Sequence, residues 1–194
     1  DEYFNENRQR LQLKDVKLGV NYALIINSNA GLWGYSIGDT VKFVSLNPYK
    51  IVVTGRIKHF ISAFGEHVIG EEVEKAIKYA VEQQPETVVV EFTVAPQVVN
   101  PDGGLPYHEW FVEFGKQPSD MNKFITDINQ KLAELNSYYN DLITGNVLKT
   151  LELRVVEKNG FINYMKSEGK LGGQNKLPRL SNDRKIADKL KLAH

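Results

Sequence analysis

The 194 residues are 42% hydrophobic and 25% charged, a balance that suits a globular chain and excludes a disordered one. Twenty-four Lys and Arg offset twenty-four Asp and Glu, so the chain lacks the basic excess that serves nucleic acid or an anionic membrane. Cysteine is absent, which removes disulfides and thiolate metal sites, and no apolar run approaches the ~18 residues of a membrane span.

Residues 1–19 are polar and carry no sustained period. The sequence starts at Asp1 with no signal-type pattern after it, and is expected to be a piece of a longer protein. Residues 21–27 (NYALIIN) predict a short strand. Gly31, Gly34 and Gly38 punctuate the next stretch, and a Gly38-Asp39 turn is expected to lead into a strand at 41–44. Asn47-Pro48-Tyr49 reads as a tight turn, with 51–53 as the return strand. Residues 20–54 are expected to be the β-rich trailing edge of a domain.

From Gly55 the character changes. Val73, Ala76, Ile77, Ala80 and Val81 recur at i, i+3, i+4, i+7 and i+8, which predicts a helix over 71–83. The β-branched run 87–94 predicts a buried strand, 100–104 a loop, and 107–114 (YHEWFVEF) a second strand. Pro118-Ser119-Asp120 has helix-start chemistry. The apolar stripe Phe124, Ile125, Ile128, Leu132, Leu135, Tyr139 predicts one helix through 119–139. Leu151, Leu153 and Val155 alternate with charged residues as a third strand. A helical turn is expected at 161–166, a Gly/Pro-containing loop at 169–180 and a short charged helix at 183–192. The order helix–strand–strand–helix–strand predicts an α+β domain: a small mixed or antiparallel sheet with two packed helices.

Chemistry is sparse. His59, His67, His108 and His194 show no ligand spacing, so no metal site is expected, and no Gly-x-Ser-x-Gly elbow occurs. Three segments stand out. In 171–179 (LGGQNKLPR), Gln174, Lys176 and Arg179 offer polar and cationic reach from a Gly-rich loop closed by Pro178, though no Walker pattern is present. This loop lies in a lysine-rich stretch, 166–191, and reads either as a solvated tail or as a carrier of one cation to an anionic group. In 31–43 (GLWGYSIGDTVKF), Asp39 follows Gly38 and reads by itself as turn chemistry. In 54–68 (TGRIKHFISAFGEHV), Arg56, Lys58 and His59 occupy what would be an interdomain hinge.

Taken in order, AGLWGYSIGDTV, TGRIKHF and GGQNKLPR resemble the C-terminal part of the adenylate-forming superfamily. More closely, they resemble the auxin-responsive acyl-acid amido synthetase family, in its bacterial branch. The resemblance runs from about Val16 to Arg179. It implies that residues 1–55 trail a large nucleotide-binding domain and that 56–194 form a mobile C-terminal lid. It implies adenylation of a carboxylic acid by ATP with Mg²⁺, release of pyrophosphate, and attack by an amine, usually an amino acid. Asp39 matches the family aspartate that accepts from the ribose hydroxyls, as a carboxylate can from both at once. Arg56 matches the arginine near ribose or phosphate, and Lys58 the position about which the lid swings. Lys176 matches the loop lysine, whose ammonium would stabilise charge developing on the phosphate oxygens. Tyr35 is either a contact beside the nucleotide or a core aromatic, and His67 is a further nucleotide-contact candidate.

The chain departs from plant relatives at Gly34, where they usually carry Arg. The phosphate loop and acyl pocket of the family lie upstream of these residues, so the piece alone is expected to be inactive. Mg²⁺ would be held by phosphates and by residues outside the chain. The expected partners are a small carboxylic acid and an amine, with neither nucleic acid nor membrane, in the cytoplasm. Acyl-CoA ligation and a non-catalytic α+β binding module are the alternatives.

Overall fold

The computed structural model describes residues 10–56, 60–61, 63–170 and 176–193, and the side chains of Arg56 and Phe60 fall outside that description. The chain divides into two compact units, Asp1–Lys58 and His59–His194.

The first unit is a three-stranded antiparallel sheet, β1 (Asn21–Ile26), β2 (Tyr35–Leu46) and β3 (Tyr49–Arg56), in that spatial order. Its small core centres on Val41 and Phe43, with Tyr22 and Tyr49 edge-on to the Phe43 ring at 5.9 and 6.0 Å. Asn47 and Pro48 form the two-residue loop between paired Leu46 and Tyr49. The expected turn at Gly38-Asp39 is instead part of a long strand. Ser36 pairs with Ile25 and Thr40 with Ala23, so β2 spends four residues where β1 spends two. This is a β-bulge, and Gly38 supports it with φ +83°, a conformation that strains any residue carrying a Cβ.

In the second unit, a two-residue pair of strands, β4 (Phe60–Ile61) and β5 (Val68–Ile69), precedes α1 (Gly70–Gln83). The main sheet has β6 (Val88–Gln97) antiparallel to β7 (Tyr107–Lys116), and β7 parallel to β8 (Glu152–Val156). Of the mixed and antiparallel alternatives left open by the sequence, it is the mixed one. The parallel β7–β8 pair needs a long crossover, supplied by α2 (Met121–Leu135) and α3 (Ser137–Thr144). Val73, Ala76, Ile77 and Ala80 of α1 share one core with Phe124, Ile128 and Leu132 of α2 and with Phe92, Val94, Trp110 and Val112 of the sheet. The two helices therefore cover the same face.

The single helix expected over 119–139 is two. Asn136 is extended (φ −129°, ψ 105°), and its Oδ1 accepts from Tyr139 N–H at 2.8 Å, opening a new helix where the first ends. Tyr139 is fully buried in the same core, which is why the apolar stripe runs on across the break.

Alternation in β7 sends Glu109, Phe111 and Glu113 to the other face. There Phe111 packs with Phe161 and Tyr164 of α4 (Gly160–Ser167), a full helix where a turn was expected. Glu113 accepts from the N–H groups of Asn159 (2.7 Å) and Phe161 (3.3 Å), satisfying free donors at the start of α4. The charged helix expected at 183–192 is only a 3₁₀ turn, Ala187–Lys189. The two ends of the segment bond to the sheet. Leu180 bridges Val94 of β6, and Leu192 bridges Val156 of β8, so 180–192 straps the second face from edge to edge.

Among the described residues no helix is long and apolar enough to cross a membrane.

Candidate functional site

The bulge in β2 governs where Asp39 sits. Asp39 is half-buried and lies directly opposite Arg56, the last residue of β3, in the antiparallel register. A carboxylate position and a guanidinium position therefore share one end of one hairpin, on adjacent strands. Directly opposed residues of an antiparallel pair have Cβ atoms about 4.5–5.5 Å apart. Tyr35 begins the same strand, pairs with Ile26 and is 52% exposed, so it is not a core aromatic within this unit. Neighbouring Trp33 is 84% exposed. Lys58 lies outside the described residues.

Lys176 belongs to the second unit. It is exposed, and with the described residues it makes no hydrogen bond or ion pair. Gly172, Gly173 and Gln174 of its loop lie outside the described residues.

Arg179 does not offer free cationic reach. Its Nε donates to Glu74 Oε1 at 3.0 Å, its Nη1 to Glu91, and its guanidinium lies 4.8 Å from the centre of the Phe92 ring. Three other basic residues of the stretch are paired in the same way. Arg184 pairs with Glu109 (2.8 Å) and Asp188 (3.0 Å), Lys185 with Asp183 (2.8 Å) and Lys189 with Glu168 (2.7 Å). Lys166, Lys170 and Lys191 of the same stretch, like Lys176, form no ion pair with the described residues, so pairing alone does not set Lys176 apart.

One cluster was missed by sequence reasoning. Glu66 and His108 are both fully buried, and His108 Nε2 donates to Glu66 Oε1 at 2.8 Å. Glu66 Oε2 accepts from Phe64 N–H at 2.9 Å. The His108 ring lies between Phe64 and Tyr139, at 6.3 and 5.2 Å. Burial works against the Glu66 anion, but the hydrogen bond and charge of His108 outweigh it and hold the carboxyl below its ordinary value. The signal lay in YHEWFVEF: His108 has the parity of Trp110 and Val112, and so the core face. His67, with φ 50°, borders a shallow depression of about 260 Å³ with Glu72, Asn136 and Tyr138.

Among the described residues no group of three or more His, Asp or Glu could hold a metal ion.

Comparison with known proteins gives these residues a context. The model of the GH3 family C-terminal domain matches residues 71–185, and that of the GH3 family central domain matches 1–56. A probable indole-3-acetic acid-amido synthetase, GH3.1 of Arabidopsis thaliana, is 28% identical over 192 residues, covering 93% of this chain and 32% of its own. The solved structure of GH3.15 acyl acid amido synthetase superposes with a TM-score of 0.72 at 20% identity, over 95% of this chain and 36% of its own. AtGH3.15 acyl acid amido synthetase in complex with 2,4-DB gives 0.68 at 19% identity, over 94% of this chain and 35% of its own. The chain thus spans about a third of the length of these relatives. With one family model covering most of the second unit and another the first, the chain belongs to the GH3 family.

Proposed function

We propose that this chain is the C-terminal region of an ATP-dependent acyl-acid amido synthetase. A carboxylate oxygen of the acid attacks the α-phosphorus of ATP, the bond to the leaving pyrophosphate breaks, and an acyl-adenylate forms. The nitrogen of an amine, an amino acid in this reading, then attacks the acyl carbon, AMP departs with the bonding pair, and the nitrogen loses a proton. Asp39 accepts from the ribose hydroxyls, Arg56 lies near ribose or phosphate, and Tyr35 flanks the nucleotide. Lys176 brings an ammonium to the oxygens on which charge develops, and Lys58 is the pivot of the lid. Mg²⁺ would be held by the phosphates and by residues outside this chain, and would supply neutralisation of phosphate charge. Use of ATP goes with a cytoplasmic location.

The observation that carries this reading is the match of the GH3 models to both units. The in-register Asp39 and Arg56, and an exposed Lys176 that pairs with none of the described residues, are consistent with it. The test is pyrophosphate release by the full-length protein against a panel of carboxylic acids, with and without amino acids. Acid-dependent release that amino acids accelerate is expected. No acid-dependent release refutes the reading, and acceleration by coenzyme A alone replaces it with acyl-CoA ligation.

A further inference from the structure

Two residues beyond Lys176 the chain becomes fixed on all sides. Pro178 C=O accepts from Thr93 Oγ1 at 2.8 Å, and Arg179 C=O accepts from Val94 N–H at 2.9 Å. Ser181 N–H donates to Val94 C=O at 3.0 Å, completing a parallel bridge between Leu180 and Val94. The segment thus adds a short strand to the edge of β6. Leu180 is 0% exposed and belongs to the main core.

Arg179 ties this added strand to two other elements. It bonds Glu74 of α1 and both Glu91 and the Phe92 carbonyl of β6 (3.4 Å for the latter), and stacks over the Phe92 ring. A guanidinium can do this because its donors diverge in one rigid plane, whereas an ammonium is a single point. Such a partly exposed cluster adds little to global stability. What it determines is direction. At ~3.3–3.6 Å per residue, Lys176 can stray no more than about 10 Å from the Arg179 Cα, so the anchor sets the zone its ammonium can reach.

We propose that Arg179 is a positioning residue for Lys176: by latching the loop exit to α1 and β6 it aims the Lys176 ammonium, without touching the nucleotide itself. This rests on the reading that Lys176 acts in adenylation. A charge-stabilising donor is effective only when held in place before reaction, and a misplacement of about 1 Å can cost on the order of 10²-fold in rate.

The test is a double-mutant cycle on acid-dependent pyrophosphate release by the full-length protein, using Arg179→Met and Lys176→Ala. Arg179→Met keeps the apolar stem and removes the guanidinium. Alone it is expected to lower kcat by about tenfold with the KM for ATP within about twofold, because the interaction concerns the transition state. In the Lys176→Ala background it is expected to change kcat by less than about twofold, since two residues acting through one group are not additive. Arg179→Lys should recover only part of the loss. In the 194-residue chain, Arg179→Met should speed hydrogen exchange at the Ser181 amide by about tenfold while amides of β7 keep their protection. If Arg179→Met gives little folded protein, Thr93→Val, which removes the bond to Pro178, takes its place in the cycle. Equal losses in both backgrounds, an unchanged kcat, or a raised KM at constant kcat overturns the inference. A Lys176→Ala variant that releases pyrophosphate at the full rate removes the role of Lys176, and this inference with it. A slow Lys176→Ala beside a silent Arg179→Met removes the inference alone.

Discussion

Replacing Glu66 with Ala tests how the second unit holds its first residues. Glu66 and His108 are 0% exposed and bonded at 2.8 Å, and the other carboxylate oxygen takes the Phe64 N–H at 2.9 Å. The second ring nitrogen, Nδ1, has no partner among the described residues. Glu66→Ala therefore leaves the whole imidazole unsatisfied among Phe64 and Tyr139, together with one backbone donor. Breaking a buried pair by removing one partner costs about 3–5 kcal/mol. With a urea slope of about 2 kcal/mol/M, the unfolding midpoint should fall by about 1.5–2.5 M. The assay is urea unfolding followed by tryptophan fluorescence in a Trp33→Phe background. Trp110 is fully buried in the core of this unit, and Trp33 is exposed in the other, so the signal then comes from Trp110 alone. The pH dependence gives a second check. The folded carboxyl titrates below its ordinary value of 4.5, so the stability it contributes is present above about pH 4.5 and is lost as pH falls through the folded value. Burial and the nearby Glu66 charge raise the Tyr139 hydroxyl, so it stays protonated throughout that range. The gap between the parent and Glu66→Gln should therefore close on acidification. A midpoint for Glu66→Ala within about 0.5 M of the parent, or a Glu66→Gln gap that persists undiminished to pH 3, would refute the reasoning.

In the full-length protein, Lys176→Ala should slow pyrophosphate release by about 10²–10³-fold, and Lys176→Arg should not restore it fully. Lys170→Ala and Lys185→Ala are the controls, and equal behaviour of all three in the same assay would return Lys176 to the solvated tail. Asp39→Ala should raise the ATP requirement by about tenfold to a hundredfold, as hydrogen bonds to a charged acceptor are worth roughly 1.5–3 kcal/mol. An unchanged KM for ATP would end its assignment to the ribose. Asp120 accepts from Lys123 N–H at 2.9 Å at the start of α2, so Asp120→Ala should cost about 1 kcal/mol in the same urea assay. A midpoint equal to the parent's would show that the cap contributes nothing there.

The sequence by itself determined the elements whose side chains repeat with a period. The stripe of α1, the β-branched run of β6 and the alternation of β8 follow from which residues must leave water, and that pattern is local. So are the Asn47-Pro48 turn and the motif residues Asp39, Arg56 and Lys176, which could be read by resemblance before any geometry was in hand. Only the tertiary structure decided the features that depend on partners distant in the chain. Asn136 ends one helix and starts another although the apolar stripe continues, because its side chain competes for the Tyr139 N–H. Gly38 enters a bulge rather than a turn because β1 and β2 spend unequal numbers of residues on the same length. The charged 183–192 stretch has the composition of a helix. It lies as a strap because the bonds flanking it go to β6 and β8, across more than thirty residues of intervening sequence. The cationic Arg179 is consumed by Glu74 and Glu91, while Lys176, three residues earlier, pairs with none of the described residues. No periodicity separates two basic residues so close together; the acidic residues that fold beside one of them do.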